Sequence, residues 1–167
     1  MKSWIGLLAR LVVGVVWIIA GFAKLSDPAG SVRAVRAYQL LPEAVVPTVG
    51  HLLPIVEIAI GALLVLGLLT RPVAVLAGLL FVTFIIGISS AWIRGLEINC
   101  GCFGGSGVPL DVHRQYAIDL ARDALLLLAA VWLMVRPRTR LAVDNLLFPS
   151  HERLADGDEQ LETAVQD

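Results

Sequence analysis

Cys100 and Cys102 are the only cysteines of the chain, and a single glycine separates them. Two thiols at positions i and i+2 can pair when the backbone bends, and Gly101 permits the positive φ values that favour such a bend. The bond would close a three-residue loop, which by the chain-entropy relation stabilises a fold by only about 1.6 kcal/mol before strain is subtracted. A strained, accessible disulfide is easily reduced. The spacing therefore favours thiol–disulfide chemistry, with two unpaired thiols or a metal half-site as the alternatives.

The composition places this cysteine pair in a membrane protein. Hydrophobic residues make up 57% of the 167 residues, charged residues only 16%, and the mean hydropathy is +0.81. A soluble domain has about a quarter charged residues. Several apolar runs approach the ~20 residues that cross a bilayer, so we predict an integral membrane protein in contact with lipid. The net charge of −1 argues against a nucleic-acid partner, because no basic excess is present to neutralise phosphates.

The apolar runs predict an all-α fold, an integral membrane four-helix bundle. Its spans are expected at about residues 4–23, 49–69, 72–93 and 113–135. Between the first two spans, Asp27 is a favourable N-cap and Pro28 a favourable first helical residue. They predict a short amphipathic interfacial helix that ends near residue 42. A cleavable signal peptide is the competing interpretation of the first span.

Two further features set the boundaries of the membrane domain. The sequence Thr70-Arg71-Pro72 predicts a very short turn, so that the second and third spans are antiparallel neighbours. The membrane domain is expected to cover residues 1–140, and residues 141–167 form an acidic tail that we predict to be disordered.

Several charged residues fall within the predicted spans. Arg10 is near enough to the end of the first span to extend toward water. Glu57 lies about two turns inside the second span, where a carboxyl group must be protonated, paired or in a wet cavity. Its role is either functional or that of a helix-packing hydrogen bond.

The beginning of the fourth span carries a second group of charges. Asp119, Arg122 and Asp123 are spaced i, i+3 and i+4 and share one flank of the helix. Arg122 is expected to neutralise Glu57, Asp119 or Asp123 beneath the cysteine loop. We interpret Asp119 as part of a solvated helix start, whereas Arg122 and Asp123 lie deeper.

The orientation rests on basic residues that flank the spans. They are nearly balanced between the two sides, but Arg136, Arg138 and Arg140 directly follow the fourth span. This favours cytoplasmic termini. The cysteine loop then faces the extracytoplasmic side, where disulfides form and persist.

The mechanism that we predict is thiol–disulfide exchange, in which one cysteine attacks a partner disulfide and the other resolves the mixed disulfide. Arg94, Arg114 or the N-terminal end of the last span would lower the pKa of a cysteine thiol. His113 is a candidate proton acceptor, although a solvated role is the simpler alternative. A quinone held between the helices near Glu57 and Arg122 is the candidate cofactor, by analogy with other membrane thiol oxidoreductases.

Two other functions compete with this mechanism. One is a non-catalytic membrane scaffold or chaperone for a redox partner, with a fixed disulfide. The other is a small-substrate or metal-handling membrane protein that uses Cys100, Cys102 and His113 as soft ligands. Three ligands are few for a closed zinc site, which prefers four, and we predict no metal site.

With these residues placed, the chain resembles the MauE/DoxX family of redox-associated bacterial membrane proteins, and the MauE branch in particular. The matching segments are residues 21–28 (GFAKLSDP), 38–42 (YQLLP), 54–57 (PIVE), 67–71 (GLLTR), 100–104 (CGCFG) and the pair Arg122-Asp123. The first segment contains Lys24, which we add to the supporting residues.

The resemblance implies a multi-pass protein of the bacterial plasma membrane that works with thioredoxin-like partners outside the cytoplasm. In the methylamine-utilisation branch it implies a role in maturation of methylamine dehydrogenase, although no residue of this sequence points to that amine. The chain is thus expected to be a membrane thiol–disulfide oxidoreductase with Cys100 and Cys102 as the reacting residues.

Overall fold

The computed structural model describes residues 2–98 and 111–135, which fold entirely into helices and their connections. The helices are α1 (Lys2–Leu25), α2 (Pro28–Ala37), α3 (Val46–Leu66), α4 (Thr70–Ile93) and α5 (Val112–Val135). The all-α prediction is confirmed for this part of the chain. The cysteine loop and the predicted acidic tail lie outside the described residues.

Three of the helices are long and apolar enough to cross a membrane. Trp4–Leu25 of α1 has a mean hydropathy of 2.3, α3 of 2.2 and α4 of 2.4. Large apolar side chains on their outer faces remain exposed to the surroundings, as on Leu8, Ile55 and Leu79. A protein surface of this kind is suited to contact with lipid.

Helix α5 corresponds to the fourth predicted span but is more polar than the other three. Its last 18 residues still contain Asp119, Arg122 and Asp123, and its membrane crossing stays a prediction. It packs along α4 and also contacts α1, while α1 packs along α3. The shared apolar core includes Trp17, Leu64 and Ala77.

The contact between α1 and α3 is close enough for one backbone to touch the other. A Cβ atom placed on Gly61 of α3 would lie 2.6 Å from the carbonyl oxygen of Gly14 on α1. Interfaces built on small residues allow membrane helices to approach in this way. The absence of a side chain at Gly61 therefore sets the distance between the two helices.

Helix α2 begins as the sequence predicts. The backbone N–H of Gly30 donates a 2.8 Å hydrogen bond to the Asp27 carboxylate, and Pro28 is the first helical residue. The helix ends at Ala37, earlier than expected, because Gln39 adopts a left-handed conformation with φ of 52°. The Arg94 guanidinium at the end of α4 donates to the carbonyl oxygen of Tyr38 and holds this helix end in place.

Helix α2 lies against α3 with its apolar side. The Ser31 hydroxyl donates to the carbonyl oxygen of Gly50 at 2.7 Å, and both residues are buried. Nε of Arg36 on α2 donates a 2.8 Å hydrogen bond to Glu43, which lies on the connection to α3. This hydrogen bond lowers the pKa of the Glu43 carboxyl. The predicted amphipathic character is thus present, while the location of α2 at a membrane surface stays a prediction.

The turn between α3 and α4 lies three residues earlier than predicted. Gly67 has φ of 71°, its N–H donates to Leu64, and the N–H of Leu68 donates to the carbonyl oxygen of Leu63. This is the Schellman pattern that ends many helices. Because Gly67 stops α3, Thr70 and Arg71 belong to α4 and the prediction of a turn at these residues was wrong.

We predict that Gly61→Ala destabilises the protein because its methyl group would collide with the backbone of α1. Overpacking of this kind lowers the free energy of unfolding by about 1–3 kcal/mol. Thermal unfolding in detergent measures the effect. Gly87→Ala is the matched control, since a Cβ atom there lies 3.5 Å from Tyr38, an ordinary contact distance. Equal melting temperatures for the two variants would contradict the prediction.

Candidate functional site

A buried ion pair joins the C-terminal end of α1 to the middle of α3. Nζ of Lys24 donates to both carboxylate oxygens of Glu57, at 2.7 and 2.9 Å. The Lys24 side chain is 6% exposed and that of Glu57 is fully buried. A carboxylate in apolar surroundings requires such a partner. Of the three partners expected for Arg122, namely Glu57, Asp119 and Asp123, Glu57 is thus bound by Lys24 instead.

Arg122 instead pairs with two carboxylates of its own helix. Its Nη1 lies 2.9 Å from Asp119, and its Nε and Nη2 donate to Oδ1 of Asp123 at 3.0 and 2.9 Å. Asp119 is 1% exposed and also accepts a hydrogen bond from Gln115 at 3.1 Å. The interpretation of Asp119 as a solvated residue was wrong, because the helix packing turns its carboxylate inward.

The two groups of charges form one assembly. The ammonium of Lys24 lies within Coulombic range of Asp123 and 5.4 Å from the centre of the Phe84 ring. We refer to Lys24, Glu57, Asp119, Arg122 and Asp123 as the charge cluster. It joins α1, α3 and α5 at one end of the structure.

Arg10 lies on the same helix as Lys24 but 14 residues before it, or about 21 Å at 1.5 Å per residue. It is only 2% exposed. The expectation that Arg10 extends toward water was therefore wrong, and its side chain is packed among the helices.

Tyr116 of α5 anchors the segment that leads into the cysteine loop. Its hydroxyl donates to the carbonyl oxygen of Leu96 at 2.7 Å and accepts from the N–H of Ile98 at 3.1 Å. The side chain is 1% exposed and packs with Ile88. Ile98 precedes Cys100 by two residues. Tyr116 therefore fixes the point where the chain leaves the described helices toward the cysteines.

The predicted reacting residues, Cys100 and Cys102, lie outside the described residues. His113 and Arg114 are exposed on the first turn of α5, where the Arg114 N–H donates to the Asp111 carboxylate at 3.0 Å. The His113 ring lies 6.1 Å from that of Trp92. These two residues are accessible near the last described residues before and after the cysteine segment, while the charge cluster is buried.

A cavity of about 300 Å³ opens between α2, α3 and α4 beside the charge cluster. Lys24 is the charged residue that lines it, and its walls are mainly apolar, with Phe84 and Tyr38 as the aromatic side chains. Ligand cavities begin at about this volume. The cavity is large enough for a small ring system.

Sequence reasoning missed the Lys24–Glu57 pair, the burial of Asp119, the Tyr116 anchor and this cavity. The pair had a usable signal, because Lys24 ends the first predicted span and Glu57 lies about two turns inside the second, which brings both toward the same side of the membrane. No signal in the sequence indicated the Tyr116 anchor or the cavity, because both depend on how α2, α4 and α5 pack.

The fold and this site define the class of protein. Three helices of membrane-spanning length and a charge cluster buried among helices are features of a polytopic membrane protein. The family model described as "Methylamine utilisation protein MauE" matches residues 2–136, and the chain belongs to this family. No curated protein and no solved structure matches the chain.

We predict that replacing one member of the Lys24–Glu57 pair destabilises the fold. Lys24→Met or Glu57→Gln leaves the other group buried without its partner, which costs about 3–5 kcal/mol. The double variant is expected to regain much of this loss, and thermal unfolding of all three variants gives the coupling. Arg33→Met is the control, because its pair with Asp27 is exposed and is worth at most about 1 kcal/mol. Single variants as stable as Arg33→Met would refute the prediction.

Proposed function

We propose that this membrane protein is a thiol–disulfide oxidoreductase whose Cys100/Cys102 pair exchanges electrons with a thioredoxin-like protein outside the cytoplasm. The observation that carries the proposal is the Tyr116 anchor. It holds Leu96 and Ile98 immediately before the Cys-Gly-Cys sequence, at the end of the helices that contains the charge cluster. A fixed attachment point favours a reactive pair that visiting proteins can reach.

In the proposed topology α1, α3, α4 and α5 all cross the plasma membrane, and both termini are cytoplasmic. The charges of α5 are compatible with a crossing because Arg122 engages Asp119 and Asp123, whose side chains are 1% and 3% exposed. Polar groups in membrane helices face the protein interior in this manner. Helix α2 would then lie at the extracytoplasmic surface.

The exchange proceeds in two displacements. The thiolate of one cysteine attacks a sulfur of the partner's disulfide, which forms a mixed disulfide and releases the partner's other sulfur as a thiolate. The second cysteine then attacks the mixed disulfide, so that the partner leaves as a dithiol and Cys100 and Cys102 become a disulfide. Two electrons pass to the partner, and the reverse sequence oxidises it. Arg114 and His113 are exposed nearby on α5 and would favour the thiolate form.

We further propose that a membrane quinone is the redox cofactor and binds in the 300 Å³ cavity. The volume, the apolar walls and the two aromatic side chains suit a quinone ring, and Lys24 supplies a hydrogen-bond donor for its carbonyl oxygen. A bound quinone supplies an acceptor for the two electrons and two protons of the dithiol. Lys24, Phe84 and Tyr38 are the residues that would hold it, instead of Glu57 and Arg122 as the sequence indicated.

The family description extends the proposal to methylamine utilisation. The client would then be a disulfide-rich protein of that process, such as the small subunit of methylamine dehydrogenase. The second candidate function is a scaffold that holds a redox partner without exchanging electrons, and the same experiment separates the two.

We predict that Cys100→Ser and Cys102→Ser each abolish disulfide maturation of client proteins in cells, because the complete exchange requires one sulfur to attack and the other to resolve the mixed disulfide. Asn99→Ala, in the same segment, is the control and should retain maturation. Gel mobility of the clients after alkylation measures the outcome. A membrane-impermeant alkylating reagent should label wild-type cysteines in intact cells only after reduction.

Two results would contradict this prediction. Normal maturation in both serine variants would leave the scaffold as the function. Cysteines that are always reduced, and are labelled only after the cells are permeabilised, would place the pair in the cytosol.

We predict that Gly87→Leu weakens quinone binding at least about tenfold, or roughly 1.4 kcal/mol, because the added side chain fills the cavity. Quenching of tryptophan fluorescence by menadione, titrated into protein in lipid nanodiscs, measures the affinity. Val82→Leu, on the exposed side of α4, is the matched control. The same affinity in both variants would rule out this cavity.

A further inference from the structure

Two buried polar atoms on neighbouring helices lack a hydrogen-bond partner among the described residues. One is Oδ2 of Asp123 on α5, and the other is Nε1 of Trp17 on α1. Asp123 is 2% exposed and Trp17 is 1% exposed. One atom accepts hydrogen bonds and the other donates them, and leaving either unsatisfied costs about 1–3 kcal/mol.

The side chains that carry these two atoms line the same small cavity. Arg122 completes its polar wall, and Phe81 and Phe84 of α4 close it on the apolar side. The cavity has a volume of about 10 Å³, which is about the minimum for a single water molecule. A buried water also requires two to four polar partners, and Trp17, Asp123 and Arg122 meet this requirement.

Counted over the described residues and with every group ionised, the charge cluster around the cavity is not neutral. It combines two cations, Lys24 and Arg122, with the three carboxylates of Glu57, Asp119 and Asp123, which leaves an excess of one negative charge. Uncompensated charge within a membrane is costly, so one bound proton would bring the cluster to neutrality.

Hydrogen bonding distinguishes the three carboxylates. Both oxygens of Glu57 accept from Lys24, and both oxygens of Asp119 accept from Arg122 and Gln115. In Asp123, Oδ1 accepts from Arg122, whereas Oδ2 has no donor among the described residues. Oδ2 of Asp123 is therefore the oxygen on which a proton displaces no existing hydrogen bond.

We propose that Asp123, together with one water shared with Trp17, is a proton-binding site in the interior of this protein. With Asp123 ionised, the water accepts from Trp17 Nε1 and donates to Oδ2. With Asp123 protonated, its Oδ2–H donates to the same water, which still accepts from Trp17 Nε1. Oδ2 of Asp123 and Nε1 of Trp17 thus keep a hydrogen-bond partner in both protonation states without movement of a helix, and the site takes up and releases one proton reversibly.

The groups that face this site come from three packed elements. Helix α1 contributes Lys24, α5 contributes Arg122 and Asp119, and α3 acts through Glu57, which is bound to Lys24. Arg122 is 28% exposed at its side chain, and it links the buried acid to the outside of the packed helices. The inference goes beyond thiol exchange and holds whether or not the cysteines react.

Infrared spectroscopy of the full chain in lipid vesicles tests the proposal, through the carbonyl stretch of a protonated carboxylic acid. The wild-type protein should show this band at neutral pH and lose it reversibly in alkaline buffer. Asp123→Asn should remove the intensity of one carboxyl group per chain. Asp111→Asn, an exposed acid directly before α5 and outside the charge cluster, is the control and should retain the band. Trp17→Phe should shift the frequency, because the shared water loses one donor.

Several outcomes would overturn the inference. The band could persist in Asp123→Asn, or disappear with Asp111→Asn, and either result would place the proton elsewhere. A carboxylate signal at Asp123 that responds to sodium instead of pH would indicate a metal cation as the ligand. Should Asp123→Asn not fold, Asp123→Glu provides the test, since a band that does not move with the longer side chain does not come from residue 123.

Discussion

The structure depends on the constraint that a charge buried among apolar helices must have a partner. Glu57 has no exposed surface and obtains its partner from Lys24 on another helix. The two hydrogen bonds from the Lys24 ammonium to Glu57 thus hold α1 and α3 in a single register. The close backbone contact at Gly61 acts on the same pair of helices from a position about one turn further along α3. Ion pair and glycine contact together leave these helices little freedom to slide.

The charge cluster lies toward one end of the helices, and most of the apolar core lies toward the other end. Lys24, Glu57 and Asp123 lie toward the end where the cysteine segment connects α4 to α5, while the other half has a core of side chains such as Val13, Leu64 and Leu133. That apolar core holds the helices together. The stability that this core provides therefore offsets the free-energy cost of the charge cluster and the two cavities at the opposite end, where the segment anchored by Tyr116 also lies.

The sequence was sufficient for those features that depend on local pattern. Apolar runs located α1, α3 and α4 within a few residues, and Asp27 with Pro28 located the start of α2. The end of α2 was missed because Gln39 adopts a left-handed conformation that its residue type does not require.

Features that depend on the rotation of one helix against another were harder to predict. Spacing alone indicated that Asp119 shares a flank with Arg122, yet it did not indicate whether that flank faces water or protein. Burial of Asp119 follows from the packing of α5, which no local pattern encodes. The choice of Lys24 over Arg122 as the partner of Glu57 has the same origin, because it depends on the angle at which α1 presents its last turn.

Phe84 connects the two cavities, since its ring belongs to the walls of both. On one side the ring lies 5.4 Å from the Lys24 ammonium, and on the other it lies 5.8 Å from the ring of Trp17. A molecule in the larger cavity that displaced Phe84 would change the surroundings of Lys24 and the position of the Trp17 indole at once. The proposed quinone cavity and the proposed proton site at Asp123 therefore share this one aromatic side chain. Coupling between the two would require the movement of a single ring and no rearrangement of the helices.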